Sequence, residues 1–228
     1  MSTAVSVIMP VRNEEKHLRT AVQRVLDQRY EGDLEILLAV APSTDLTREI
    51  AEGLADEDSR VVVLDNPAGV TPAGLNVAIA AARHPVIVRV DGHGELSPGY
   101  IGRAVALLQE TGAANVGGLM DAQGTTPLSE AIAAGYNSPL GLGGGGFHLA
   151  ETPAGPADTV FLGVFRADVL REIGGFDESL HRAQDWELNY RLRRAGHLVY
   201  FSPDLQVVYR PRDSVSALAR QFYRTGQW

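Results

Sequence analysis

An α/β fold built on a mostly parallel, doubly wound sheet is predicted by three observations. Short apolar runs rich in β-branched residues alternate with helix-period stretches through the first 120 residues, the order that gives parallel strands with crossover helices. One of these runs, Val86 to Val90, is β-branched at four of five positions, which suits a strand buried on both faces. At 228 residues the chain buries about 70 to 75% of its unfolded surface, enough for one large core.

The elements follow in order. Val5 to Met9 reads as the first strand, and Asn13 as the cap of a helix with Leu18, Ala21, Val22, Val25 and Leu26 at helical spacing. Leu34 to Val40 is a second strand, followed by Ser43-Thr44-Asp45 as cap chemistry and a helix through Ile50, Ala51 and Leu54. Val61 to Leu64 is a third strand. Thr71-Pro72 then signals a cap and first turn for a helix through Leu75, Ile79 and Ala82. After the central strand, Ser97-Pro98 opens another helix that Gly112 stops, and Val116 to Met120 is a fifth strand. The second half is less regular. It holds a glycine-rich stretch from Gly141 to Gly146, a strand near Val160 to Phe165, a helix after Asp185, and short strands at Leu198 to Phe201 and Val207 to Tyr209. The glycine run follows no strand and opens no helix, so it fails the test for a phosphate loop and reads as a mobile loop.

Composition narrows the class. The chain is 45% hydrophobic and 21% charged, ordinary for a globular protein. A net charge of −8 argues against a general nucleic-acid binder, whose affinity comes from neutralising phosphates. From Asp204 onward, however, four arginines face two aspartates. The absence of cysteine excludes disulfides and thiolate metal sites and is compatible with a reducing cytoplasm. Residues 1–10 lack a basic leader and are broken by Pro10, and no run reaches the roughly 18 apolar residues of a membrane span.

The informative stretch is the end of the central strand, Val90-Asp91-Gly92-His93-Gly94. Ligands of open α/β sheets sit outside the carboxyl ends of the strands, where Asp91 and His93 fall. Gly92 and Gly94 let the backbone approach a ligand closely. A carboxylate and an imidazole two positions apart suit one divalent cation. Asp-Gly is also a common turn pair, and on these residues alone a turn is the better account.

Five segments together resemble a family 2 glycosyltransferase of the GT-A fold: Val7 to Glu15 (VIMPVRNEE), Ser43 to Thr47 (STDLT), Val90 to His93 (VDGH), Gly174 to Glu178 (GGFDE) and Gln184 to Leu188 (QDWEL). They occur in that family's order and spacing and cover essentially the whole chain. A narrower likeness is to bacterial exopolysaccharide glycosyltransferases of the succinoglycan-biosynthesis type. It is carried by Arg89 to His93, by Asp158-Thr159-Val160 before a strand, and by Tyr209 to Arg212.

The resemblance implies a single GT-A domain over 1–228, Rossmann-like, with helices on both faces of a mostly parallel sheet. Its parts are a nucleotide-sugar-binding half (1–120), a mixed acceptor-binding half (121–210) and an amphipathic C-terminal helix (211–228). It implies that Pro10, Val11, Arg12, Glu14, Ala41, Asp91 and Gly92 bind the donor. Asp91 and His93 stand in place of the family's paired acids and hold Mn²⁺ or Mg²⁺; imidazole shifts the preference toward Mn²⁺. Asp185 matches the general base, although an N-cap is its alternative reading because Leu188, Leu192 and Ala195 follow at helical spacing. Asp158 and Trp186 are candidate acceptor contacts. The implied reaction is inverting, metal-dependent transfer of a hexose from a nucleotide-sugar, UDP-linked by preference, to a hydroxyl of a saccharide or lipid-linked saccharide.

Three residues depart from the family pattern: Gln184 replaces the acid before the base, Ala41 an acid often set against uracil, and Leu75 a basic residue before Asn76. They keep open a non-catalytic relative that binds sugar nucleotides, and a sugar nucleotidyltransferase. A dinucleotide-dependent oxidoreductase is disfavoured, because Pro10 to Glu14 contains no glycine. From Ser214 to Trp228, Val215, Leu218, Ala219, Phe222 and Tyr223 share a helical face near Arg220 and Arg224. That face predicts either a core helix or peripheral contact with the inner face of a membrane, the arginines touching phosphate. The pattern is cut at Trp228 and predicts a natural chain that continues. Arg89, inside an apolar strand, must find an acid or water. His148, His181 and His197 have no ligand spacing and read as surface or packing residues.

Overall fold

Alternation along the first strand decides which helices pack on which face. In β1 (Val5–Val11), Val5, Val7, Met9 and Val11 point to one core and Ile8 to the other, as the two-residue period of a strand requires. The computed structural model describes residues 2–141, 146–180, 182–211 and 214–226, with all side chains in the last segment except those of residues 217, 224 and 225. The elements that follow β1 are α1 (Leu18–Leu26), β2 (Leu34–Val40), α2 (Thr47–Glu57), β3 (Val61–Asp65), α3 (Thr71–Ala81), β4 (Val86–Arg89), β5 (Glu95–Leu96), α4 (Tyr100–Thr111) and β6 (Asn115–Ala122). The second half holds α5 (Pro127–Tyr136), a 3-10 turn (Gly146–His148), β7 (Gly155–Pro156), β8 (Phe161–Arg166), α6 (Ala167–Glu172), α7 (Gln184–Arg194), β9 (Val199–Tyr209) and α8 (Val215–Thr225).

Among the described residues one nine-stranded sheet runs through both halves in the order β3-β2-β1-β4-β8-β6-β9-β5, with β7 also on β9. Strands β3, β2, β1 and β4 pair in parallel. β8 runs against both β4 and β6, which restores the common direction for β6 and its parallel partner β9. The short β5 and β7 run against β9. Helices α1, α2 and α4 cover one face, burying Leu18, Val22, Leu54 and Ile101; α3, α6 and α7 cover the other with Leu75, Ile79, Leu170 and Leu188. Each such side chain, fully buried, contributes roughly 1.5 to 3 kcal/mol. The doubly wound expectation therefore holds, and parallel pairing brings the carboxyl ends of β1, β2, β3 and β4 to one edge.

Several local readings are corrected. Asn13 does not cap α1, which starts at Leu18 behind His17; it adopts φ 55 and serves the next loop instead. The cap of α3 is Val70, one residue before Thr71. Asp185 is not the cap of α7 either: Ala183 is, so Asp185 lies within the first turn. The helix after Ser97-Pro98 starts at Tyr100 behind Gly99, while Gly112 does end it, at φ 67. The two short strands near the end are one strand, β9, whose pairing with β6 skips from Ser202 to Gln206. That skip carries Pro203, which has no N–H to give to a ladder. Helices α5 and α6 are additions to the sequence reading. Residues 142–145 of the glycine-rich stretch, with His181, Arg212 and Trp228, lie outside the described residues.

At the amino-terminal edge, Glu35 is 3% exposed. Its carboxylate accepts hydrogen bonds from Ser6 Oγ at 2.6 Å and from Arg83 N and Nε at 2.9 and 2.8 Å. Desolvation acts to raise its pKa, but these bonds and the Arg83 charge prevail and hold it below the ordinary 4.5. The folded value is the lower one, so this contribution is complete above the ordinary value and is lost as pH falls through the folded one. Glu35→Gln should cost about 1 to 3 kcal/mol at neutral pH. It should also flatten the loss of stability in acid, both read from urea unfolding across pH 3 to 7.

Candidate active site

The loops after β1 and β2 are sewn together before any ligand arrives. Asn13 N donates to Ser43 Oγ at 3.1 Å, and Asn13 Oδ1 accepts from Thr44 N at 2.9 Å. Glu14 N donates to Thr47 Oγ1 at 2.7 Å, and Glu15 N to Asp45 Oδ2 at 3.2 Å. Asp45 in turn accepts from Thr47 N at 3.1 Å, but the cap of α2 is Leu46, without a side-chain cap bond, so Ser43-Thr44-Asp45 is not its cap and serves the crossing to the first loop instead. Arg12 reaches the third strand end, its Nη1 donating to Gly69 O at 3.0 Å.

The loop after β4 completes the rim. Gly94 N donates to Asp91 O at 2.8 Å, so the turn reading of Asp91-Gly92 is correct as well. Gly92 is required by a close approach: a Cβ there would stand 2.9 Å from Glu14 Cγ and 3.1 Å from Val11 Cγ1. Next to it, His93 Nδ1 is 2.8 Å from Glu14 Oε1, and the His93 ring meets Tyr209 edge-on at 6.1 Å.

Behind this rim lies the group of greatest consequence. Arg89, the last residue of β4, is 3% exposed. Its Nε and Nη2 donate to Asp91 Oδ1 at 3.2 and 3.0 Å, and its Nη1 donates to Asp185 Oδ1. The sequence demand for an acid is met twice over. For Asp91, desolvation acts upward, but the Arg89 and His93 charges and the Arg89 hydrogen bonds prevail and hold its pKa below the usual range. For Asp185, desolvation prevails over Arg89, with the Asp91 charge pushing the same way, and lifts its pKa above the usual range.

These loops enclose a cavity of about 680 Å³, within the usual size of small-molecule sites. The predicted residues Pro10, Val11, Arg12, Glu14, Ala41, Asp91, Gly92 and His93 all line it, together with Arg89 and Gln184. Asp185 stands just outside the lining, bonded to Arg89 within it. Asp158 and Trp186 do not join it: Asp158 pairs with Arg193 at 2.9 Å, and Trp186 is 44% exposed. Arg220 is exposed on α8, and the side chain of Arg224 is outside the described ones.

The lining also holds Asn66, Gly69, Val70, Thr71, Arg182, Tyr209 and Gln221, none of them among the predicted site residues. Asn66 follows β3 as Asp91 follows β4, and the strand-end rule applied to β3 would have found it. It is 2% exposed, its Nδ2 donates to Val70 O at 3.0 Å, and its buried Oδ1 has no hydrogen-bond partner among the described residues. A larger cavity, about 830 Å³, lies at the opposite edge of the sheet around Glu35, Arg60 and Arg83. Its buried acid is already saturated by Ser6 and Arg83.

The protein is thus of the α/β class, with this cavity at the carboxyl ends of its parallel strands. The model of glycosyl transferase family 2 matches residues 6–155, and the chain belongs to that family. It is 32% identical over 228 residues to the succinoglycan biosynthesis protein ExoA of Rhizobium meliloti (strain 1021), covering 99% of this chain and 69% of that protein. To glycosyltransferase AglE of Haloferax volcanii it is 27% identical over 223 residues, covering 96% and 70%. S. aureus TarS 1-349 in complex with UDP-GlcNAc superposes with a TM-score of 0.72 at 17% identity, covering 92% of this chain and 59% of that one. The mannosyltransferase PcManGT of Pyrobaculum calidifontis, with GDP-Man and Mn²⁺, gives 0.73 at 18% identity, covering 99% and 62%. The chain thus spans about three fifths of those solved chains, and it has their GT-A fold.

Gly92→Ala should push Glu14 off His93, costing about 1 to 3 kcal/mol as overpacking does. A fall in Tm with weaker nucleoside diphosphate binding is the expected outcome, read by thermal unfolding and calorimetry with UDP and GDP.

Proposed function

We propose that this chain carries out inverting, metal-dependent transfer of a hexose from a nucleotide-sugar to a hydroxyl of a saccharide or lipid-linked saccharide, in the synthesis of an exopolysaccharide or cell-envelope glycan. The observation that carries this reading is the pair of carboxylates on one guanidinium, Asp91 at the cavity and Asp185 beside it. Their pKa values are driven in opposite directions. Such divergence separates an ionised ligand from a proton acceptor. Family membership and the likeness to ExoA support the reaction class.

The donor set fits a divalent cation shared with a substrate. Among the described residues no group of three His, Cys, Asp or Glu is placed to hold a metal alone, so Asp91 and His93 would hold it together with a substrate. Glu14 on His93 Nδ1 would orient the ring, as carboxylates behind metal-binding histidines do. The Mn²⁺ in the Pyrobaculum mannosyltransferase supports the choice of metal. When bound, the ion offsets charge on the departing diphosphate. Asp185 takes the proton of the acceptor hydroxyl, which permits one in-line displacement without a covalent intermediate. Arg182 adds a cation to the wall.

Asp185→Asn should lower turnover by roughly 10² to 10⁴ and leave nucleotide affinity unchanged; weakened nucleotide binding would count against the base. Thermal shifts with UDP, GDP and dTDP, each with Mn²⁺ or chelator, test the donor side on wild type and Asp91→Ala. One nucleotide at a hundredfold over Kd should add about 2.7 kcal/mol, with metal and with Asp91 only.

α8 supports peripheral contact with the cytoplasmic face of a membrane. Val215 and Tyr223 are 65% and 71% exposed there, on a helix that also carries Arg220. No helix among the described residues is long and apolar enough to cross a membrane. Replacing Val215 and Tyr223 by serine should reduce co-sedimentation with phosphatidylglycerol vesicles, and an unchanged bound fraction would remove this assignment.

A further inference from the structure

We propose that Arg89 is the positioning residue that fixes Asp185 relative to Asp91, so that the acceptor-side carboxylate is placed by the donor-side strand. The inference rests on the base reading of Asp185 given above.

Asp185 is not held by its own helix. It lies in the first turn of α7 without a capping role, and Arg89 is its one side-chain hydrogen-bond partner among the described residues. Arg89 in turn has no freedom. Two of its nitrogens are engaged by Asp91 at 3.2 and 3.0 Å and the third by Asp185, while its flat face lies 5.7 Å from the centre of the Phe176 ring. Phe176 is 2% exposed and follows Gly174 and Gly175, both in the left-handed region. Asn76 of α3 holds that turn from behind, with Oδ1 accepting from Phe176 N at 2.9 Å and Nδ2 donating to Phe176 O at 2.8 Å. The guanidinium is therefore clamped on its edges by two acids and on its face by a ring. A planar fork can span two carboxylates; an ammonium, a point charge on a flexible stem, keeps the charge but not the span.

The consequence is kinetic. Misplacing a catalytic group by about 1 Å costs on the order of 10² in rate. Arg89→Lys should therefore lower kcat about 100-fold while nucleoside diphosphate binding with Mn²⁺ stays within about threefold, since Asp91 retains a cation beside it.

The test uses release of nucleoside diphosphate from UDP-glucose and GDP-mannose with Mn²⁺, water standing in for the acceptor hydroxyl. It is run on wild type, Arg89→Lys, Asp185→Asn and the double variant. If Arg89 acts through Asp185, the double variant turns over no more slowly than Asp185→Asn alone. Losses that multiply would assign Arg89 a merely structural role and overturn the proposal, leaving the base reading intact. Full kcat in Asp185→Asn would overturn both. Should Arg89→Lys not fold, Phe176→Leu removes the clamping face and leaves every charge in place. A lowered kcat at unchanged nucleotide affinity then supports the proposal, and an unchanged kcat overturns it.

Discussion

Parallel register between β1 and its two neighbours is the constraint from which the rest of the structure follows. Val7 faces Ile36 on one side and Val88 on the other, and Ile8 faces Leu37 and Arg89. Because these strands share one direction, their ends deliver Val11, Ala41 and Asp91 to the same edge, and with them the polar loops that follow. Antiparallel pairing would have scattered those loops over two edges. The register needs a buried, β-branched interior on both faces, and the helices on either side provide it.

A buried guanidinium is the cost accepted at that edge. Removing Arg89 from water would be strongly destabilising without partners, and a buried ion pair rarely improves on an apolar replacement in stability alone. What it does in the strand that ends in the cavity is to tie an acid on the parallel half to Asp185 of α7, 96 residues from Arg89. The aromatic groups do something similar on the other flank. Tyr209 touches His93, stacks on Tyr136 at 6.0 Å and meets Phe161 at 6.2 Å, while Tyr136 meets Phe222 of α8. The C-terminal helix is thereby joined by packing to the cavity wall, and Gln221 reaches the lining from it.

Much of the parallel half was legible because its signals are local. Period and turn chemistry within ten or so residues located β1 to β4, the helices between them and the stop at Gly112. The second half was harder for equally local reasons. β5 and β7 are two residues each, too short for a period. α6 has six residues, and α5 opens with a capping box in which Ser129 occupies the place usually held by Glu or Gln. In β9 the break around Pro203 looks like an end, and pairing with β6 on both sides of it makes one strand.

The sequence by itself determined the fold class, the strand end that bears Asp91 and His93, and the family to which the motifs belong, since these depend on residue types at short separations. Tertiary structure alone decided what Asn13, Arg89 and Asp185 do. Asn13 had the chemistry of a cap and was drawn instead to Thr44, because the neighbouring loop offered its donors there. Asp185 had the spacing of a cap and was left to Arg89, because the helix began two residues earlier at an Ala183 in the left-handed region. Such choices depend on which polar groups parallel strands bring side by side, and hydrogen bonds between residues 30 or 96 positions apart leave no periodic trace in the chain.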